Sequence, residues 1–315
     1  MIRNLGFLAR EVLGINRRNG EFMARHNPRH LFQTVDHKLK TKAALLAVGV
    51  PVAETLAVYR FQYETRRFAQ DSRAWGEFVV KPAQGAGGEG VLVVTGYDGN
   101  GFLTVQGRGM PVRQLESHLS DILGGVFSLN QRYDEALVER CLHAHPLLAG
   151  LSFRGLPDIR VILYRGVPLM AMLRLATQQS KGRANLHAGG LGVGVDLTTG
   201  ETVAAIAGKR WIHHHPDTDL PLLGVGIPQW SELLLTATRC ADAVALGYLG
   251  VDLTLDVERG ACVLELNARP GLAIQLANRQ GLRPLLTAVD QKLVPGLPLH
   301  ERMQLGQDIA RLVVP

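Results

Sequence analysis

A chain of 315 residues is long enough for a large core and more than one lobe. Its 46% hydrophobic and 20% charged residues describe a soluble globular protein, and no apolar run reaches the length of a membrane span. The formal charge of +6 is a modest excess that suits anionic ligands such as nucleotides, and the basic residues are too scattered to suggest a nucleic-acid stripe.

The chain opens without a signal-peptide core, and Leu5, Leu8, Val12 and Ile15 suit one face of a short helix. A helix is expected near 36 to 48, with Asp36 as N-cap and Gly49 ending it. Val52 to Tyr59 reads as strand and 61 to 72 as a polar helix. Next comes "VVKPAQGAGGEGVLVV", in which Gly85, Gly87 and Gly90 match G-x-G-x-x-G. That spacing marks a dinucleotide-binding turn only if a helix follows, because the pyrophosphate sits on the helix N-terminus. Here β-branched Val91 to Thr95 follow, so the segment reads strand, glycine loop, strand. A hairpin tip of this kind folds over phosphates as a flap, or is an ordinary glycine-rich turn. Lys81 shares a strand face with Val79, in a half-buried position where an ammonium needs an anion.

Residues 113 to 127 read as a helix with Leu115, Leu119, Ile122 and Leu123 on one face. Strands then dominate: "ALVERCL", "DIRVILYRG", "VPLMAMLRLAT" and "LGVGVDLTTG". A helix over 230 to 246 leads into "LGVDLTLDV" and "ACVLELNAR", and a last helix is expected over 272 to 290. The pattern is α+β with mostly antiparallel pairing. Cys141, Cys240 and Cys262 lack metal spacing and read as reduced thiols of a cytoplasmic protein.

The sharpest chemistry lies near the C-terminus. Glu265 and Asn267 are two apart on one strand and share a face. Counting back through the "ERG" turn puts Asp252 nearly opposite Glu265. Clustered oxygen ligands suit Mg²⁺, whereas pairing with Arg259 and Arg269 on a solvated face is the structural alternative. Arg160 and Arg174 interrupt apolar strands, and each must reach solvent or meet an anion. The basic, glycine-rich "SKGRANLHAGG" after Arg174 is expected to be mobile, with Asn185 facing a reacting phosphate.

In this order the motifs resemble the ATP-grasp superfamily, nearest the alpha-L-glutamate ligase-like proteins. The pieces are Lys38 in "DHKLKTKAALLAVGVPVAET", "VVKPAQGAGGEGV", "ALVER", "DIRV", "LRLA", Asn185 before a Gly pair, "GVDLTLD" and "LELNARPG", spanning about 31 to 292. The resemblance implies an ATP-grasp fold: two α+β lobes with mainly antiparallel sheets clasping ATP, over 31–135 and 136–315, after a helical extension over 1–30. It implies ATP with Mg²⁺, or Mn²⁺ in its place. Lys38 and Lys81 would contact phosphates under a flap that includes Gly85, Gly87, Gly88 and Gly90. Glu139 would take the adenine amino group, and the backbone of Arg140, Cys141 and Leu142 the adenine edge. Asp252, Glu265 and Asn267 would hold the metal, and Arg160, Arg174 and Asn185 would neutralise the γ-phosphate.

The implied reaction is carboxylate–amine ligation through an acyl phosphate, joining an amino acid such as glutamate to a peptide or protein carboxylate. A phosphotransferase and a non-catalytic ATP-binding subunit are the alternatives, and a homo-oligomer is compatible with each. Three departures stand out. About 30 residues precede the ATP-grasp motifs where the family has a whole α/β domain. No acidic ribose ligand follows Glu139, leaving His143 or His145. "KRWIHHHPDTDLPLLGVGIPQW" reads as an insertion that serves as a lid or substrate loop, or, through His213, His214 and His215, as a metal site.

Overall fold

A computed structural model describes residues 11–313, apart from 86, 100, 106, 108, 129 and 130. The chain divides into two compact units, one formed by 37–39 with 53–142 and the other by the remainder.

The smaller unit is an antiparallel sheet of β1 (Thr55–Tyr59), β2 (Phe78–Pro82), β3 (Leu92–Tyr97), β4 (Phe102–Thr104), β5 (Gly109–Met110) and β6 (Ala136–Arg140). The strands lie in the order β1-β6-β2-β3-β4-β5. The glycine loop joins β2 to β3 as an antiparallel hairpin with Phe78 opposite Val94, so no helix follows the glycines. A dinucleotide-binding turn is thereby excluded. The helix Val112–Leu123 presents Leu115, Leu119, Ile122 and Leu123 to the sheet, as its apolar spacing predicts. They pack with Phe68, Phe78 and Phe102, whose rings meet edge to face. The polar helix expected over 61 to 72 is broken into short turns, Gln62–Arg67, Phe68–Asp71 and Ser72–Ala74.

The larger unit carries β7 (Asp158–Tyr164), β8 (Val167–Leu175), β9 (Leu191–Val195), β10 (Thr202–Ala207), β11 (Arg210–Ile212), β12 (Tyr248–Asp256) and β13 (Gly260–Asn267). Its order is β11-β10-β9-β8-β7-β12-β13, with antiparallel ladders throughout. One face packs Val161, Leu173, Val193 and Val251 with the helix Trp230–Ala243. The other packs Ile162, Met172, Ile206 and Tyr248 against Ile274, Ala277 and Leu285.

Two further expectations are corrected. At the N-terminus, Leu5 and Leu8 lie outside the described residues. Val12 and Ile15 are exposed, and Leu13, Phe22 and Met23 take the buried positions. The helix expected over 272 to 290 is two helices, Ile274–Ala277 and Arg283–Lys292. Arg279 stops the first with φ +52°, and Pro284 suits the first turn of the second. A further helix, Leu299–Val313, follows.

Candidate active site

The turn joining β12 to β13 is closed by Asp256, whose Oδ1 accepts from the backbone N–H groups of Glu258 and Arg259 at 3.0 and 2.9 Å. Ladder pairing runs from Asp256 opposite Gly260 to Leu253 opposite Val263, then shifts by one residue. That bulge sets Asp252 opposite Glu265 and Gly250 opposite Asn267. Without it, Asp252 would face Leu264, and Glu265 and Asn267 would turn to the other face. Asp252 is also opposite Arg160 on β7, and Arg174 on β8 is opposite Asp158. One face of the sheet therefore collects every one of these charged groups.

They form a single network. Arg160 donates to Asp252 twice, Nε to Oδ1 at 2.6 Å and Nη2 to Oδ2 at 2.5 Å. Arg174 donates Nη2 to Asp252 Oδ2 at 2.6 Å and Nε to Asp158 Oδ1 at 2.5 Å. Glu265 Oε1 stands 3.9 Å from Arg160 Nη2, at the more open end. The partners of Asp252 are thus Arg160 and Arg174. Arg269 bonds Asp36 instead, at 3.0 Å, and lies over the Phe32 ring.

Burial alone would raise the Asp252 carboxyl, but Arg160 and then Arg174 outweigh it and hold it well below the usual carboxylate range. The Asp158 carboxyl is pushed up by burial, against the pull of Arg174. Desolvation would lower Arg174, but Asp158 and Asp252 raise it.

Metal-binding capacity follows from this donor set. Among the described residues no group of three His, Cys, Asp or Glu side chains is arranged around an ion position. The candidate is two carboxylates and one amide. Glu265 lies directly opposite Asp252 on the neighbouring strand, and a divalent cation is accommodated where such oxygen ligands converge. Asn267 Oδ1 accepts from Arg269 N at 2.9 Å and keeps a second lone pair. The set fits Mg²⁺, with Glu265 and Asn267 the more open ligands.

Asn185 sits in the loop after β8. Its Oδ1 caps the short helix Leu186–Ala188 by accepting from His187 N at 3.0 Å. The loop expected to be mobile is tied down: Thr177 N donates to Ser180 Oγ at 2.8 Å and Thr177 Oγ1 to Gly189 O at 2.9 Å. The His213–His215 run does not converge. His215 is buried and turned inward, with Nε2 2.9 Å from Ala176 O and Nδ1 accepting from Asp217 N at 3.1 Å. His145 caps the helix Pro146–Leu151, and His143 N donates to Asp256 Oδ2 at 2.7 Å.

In the smaller unit, Lys81 lies on the less buried face of β2 and forms an ion pair with Glu139 of β6, which is 4% exposed. Lys38 Nζ donates to Gly85 O at 2.6 Å. In the loop, Gly87, Gly88 and Gly90 have φ of +67°, +78° and +71°, which side-chain-bearing residues rarely adopt. Residue 86 lies outside the described residues. Arg140 is paired with Glu54, and burial pushes the Cys141 thiol up to about 12. Leu142 is half-buried.

A model of the family described as sugar-transfer associated ATP-grasp matches residues 17–291. The chain belongs to that family. Its paired antiparallel sheets with helices are the ATP-grasp fold. The match carries the superfamily; the likeness to glutamate ligases remains one of motifs. No curated protein matches the chain. Among solved structures it is similar to ATP-grasp ligase PsnB complexed with minimal precursor, at 16% identity and TM-score 0.44 over 85% of this chain and 64% of that one. It is similar to D-cycloserine synthetase DcsG at 15% identity and TM-score 0.44, over 91% and 73%. D-alanyl-alanine synthetase A from Vibrio cholerae O1 biovar eltor gives 13% identity and TM-score 0.46, over 89% and 66%. The chain thus spans less than two thirds of the PsnB chain.

Two supporting residues of this ATP-grasp protein escaped the sequence reading. Asp134 accepts from Gln84 N at 3.0 Å and from Ser128 Oγ at 2.7 Å, fixing the root of the glycine loop. Asp158 orients Arg174. The clue to Asp158 was its spacing: an acid two residues before Arg160 on one strand must share its face.

Proposed function

We propose that the protein is an ATP-dependent carboxylate–amine ligase that works through an acyl phosphate. The observation that carries this reading is the joining of Asp252 and Glu265 to Arg160 and Arg174 on one sheet face. Paired carboxylates beside paired guanidiniums suit a site where a metal-bound phosphoryl group changes hands.

In this reading the carboxylate of one substrate attacks the γ-phosphorus of ATP, ADP leaves, and an acyl phosphate forms. The amine of the second substrate then attacks the acyl carbon, the C–O bond breaks, and phosphate departs with the oxygen. Asp252, Glu265 and Asn267 would hold Mg²⁺, which would supply positive charge against the phosphate oxygens. Arg160, Arg174 and Asn185 bind the transferred group, and Asp158 fixes Arg174. Lys38 and Lys81 bind phosphates beneath the loop of Gly85, Gly87, Gly88 and Gly90. Glu139 takes the adenine amino group, and the backbone of Arg140, Cys141 and Leu142 reads the adenine edge. Lys81 and Glu139 hold each other's charge until the nucleotide supplies another partner for the lysine.

The substrates are an amino acid, with glutamate the first candidate, and a peptide or protein carboxylate. Because the family is described as sugar-transfer associated, amino sugars and sugar acids belong in the same screen. Hydroxylamine tests the intermediate: it intercepts an acyl phosphate as a hydroxamate and releases phosphate. Carboxylate-dependent hydroxamate with ADP supports the reading. Stable phosphorylated product without hydroxamate points to a phosphotransferase.

A further inference from the structure

The ionic network belongs to a row that crosses the whole larger sheet. Arg174 is opposite Gly192 on β9, Gly192 opposite Ile206 on β10, and Ile206 opposite Trp211 on β11. Residues directly opposite one another share a face. Trp211 therefore lies on the same face as Arg174, three strand spacings away, or about 14 Å. Its indole Nε1 donates to Leu276 O at 3.4 Å, which places the ring on that face independently.

Trp211 is 55% exposed on an edge strand of the sheet. The Arg279 guanidinium lies 4.6 Å from its ring centre. Arg279 holds this position with φ +52°, a conformation costly for a residue with a side chain, and costly backbone is kept where it aims a group. Lys209 is exposed in the adjoining turn, whereas Arg210, opposite Ala207, turns to the other face of the sheet; among the described residues Lys209 and Arg279 have no carboxylate partner. The turn between β10 and β11 has two residues, Gly208 and Lys209. In such a hairpin Arg210 and Ile212 bond back to β10, so the N–H and C=O of Trp211 point to the open edge.

We infer that Trp211, Arg279 and Lys209 form a docking subsite for an extended peptide segment bearing carboxylate side chains. The open edge offers main-chain hydrogen bonds, the indole a stacking surface, and two cations select acidic side chains. The straight-line distance to Arg174 is a lower bound, because buried Gly192 and Ile206 fill the direct line, so the reacting carboxylate would lie at least about four extended residues along the peptide. Only this placement in the reaction rests on the ligase reading; the binding itself does not.

Calorimetry with three probes tests it: an alternating glutamate–glycine octapeptide, its glutamine–glycine counterpart, and glucuronate. The glutamate peptide is expected to bind at least roughly tenfold more tightly than the glutamine peptide, since charge-assisted bonds to carboxylates are the stronger ones. Arg279→Gly and Lys209→Glu each weaken it by a similar factor. Arg66→Glu/Arg67→Glu, on the other unit, leaves it unchanged. Arg279→Gly relieves the backbone strain, so its Tm is equal or higher and lost binding is not misfolding. Trp211→Phe abolishes the peptide-induced change in tryptophan emission. Equal binding of the glutamine peptide, no binding, tighter binding of glucuronate, or equal sensitivity to the Arg66/Arg67 change overturns the inference. ATP affinity measured on the same samples separates the two ideas. ATP binding without peptide binding removes the subsite alone, whereas peptide binding without ATP binding removes the ligase reading alone.

Discussion

Asp252 is gripped by Arg160 through both of its oxygens, at 2.6 and 2.5 Å, and the two residues sit directly opposite each other on neighbouring strands. Both are buried. Removing one member of a buried pair leaves the other charge uncompensated. Asp252→Asn is therefore expected to cost about 3–5 kcal/mol of folding stability, read as a lower midpoint in urea unfolding. Asp252→Asn with Arg160→Met is expected to recover part of that loss while remaining unable to turn over ATP. A single variant as stable as wild type contradicts the network.

The same pair predicts a pH dependence. The folded Asp252 carboxyl lies below its unfolded value because two guanidiniums outweigh burial. A depressed carboxyl contributes stability above the unfolded value, about 3.9, and that contribution is lost as pH falls toward the folded value. Wild-type stability should fall steeply below about pH 4, with a shallower slope in Asp252→Asn. Denaturant midpoints measured from pH 7 downward check this, and equal slopes would contradict it.

Much of this site was legible in the sequence. Alternation put Glu265 with Asn267, and the turn brought Asp252 across from them. What sequence spacing could not supply was the bulge in β13, because a bulge is a decision of the ladder. Nor could it reveal that the arginines and the acids bond one another: Arg160 and Asp252 are 92 residues apart. The helix expected over 272 to 290 failed for a local reason. Its apolar period continues through Arg279, whose positive φ ends the helix.

Lys81 and Glu139 give a separable prediction. Lys81→Ala strands a buried carboxylate, so it should lower both stability and ATP affinity. Lys81→Ala with Glu139→Gln should restore stability without restoring ATP affinity. Thermal melts and calorimetry on the pair decide it. If the double variant binds ATP as wild type does, Lys81 is structural.

Gly90 tests the loop. A Cβ there would come 2.6 Å from Phe127 Cγ, on top of a φ of +71°. Gly90→Ala should cost about 1–3 kcal/mol for the backbone alone. Shortening the obstacle with Phe127→Ala should relieve the contact but not the φ cost. Urea unfolding of the single and double variants measures both parts.

Asp158→Asn separates positioning from binding. Asp158 touches Arg174 and lies buried beneath it. In the proposed mechanism Arg174 acts on charge that develops during transfer, so the change should lower kcat by roughly tenfold or more with little change in KM for ATP. Asp158→Glu should restore part of kcat if orientation of the guanidinium is the cause. A loss confined to KM would assign Asp158 to ground-state binding.

In the proposed mechanism only the γ-phosphoryl group of ATP moves. Chromatography of the nucleotides after incubation with Mg²⁺-ATP, glutamate and the glutamate–glycine octapeptide tests it most directly. ADP and phosphate are expected in equal amounts, rising when amine and carboxylate are both present, with amide product. Substrate-dependent AMP and pyrophosphate would contradict it.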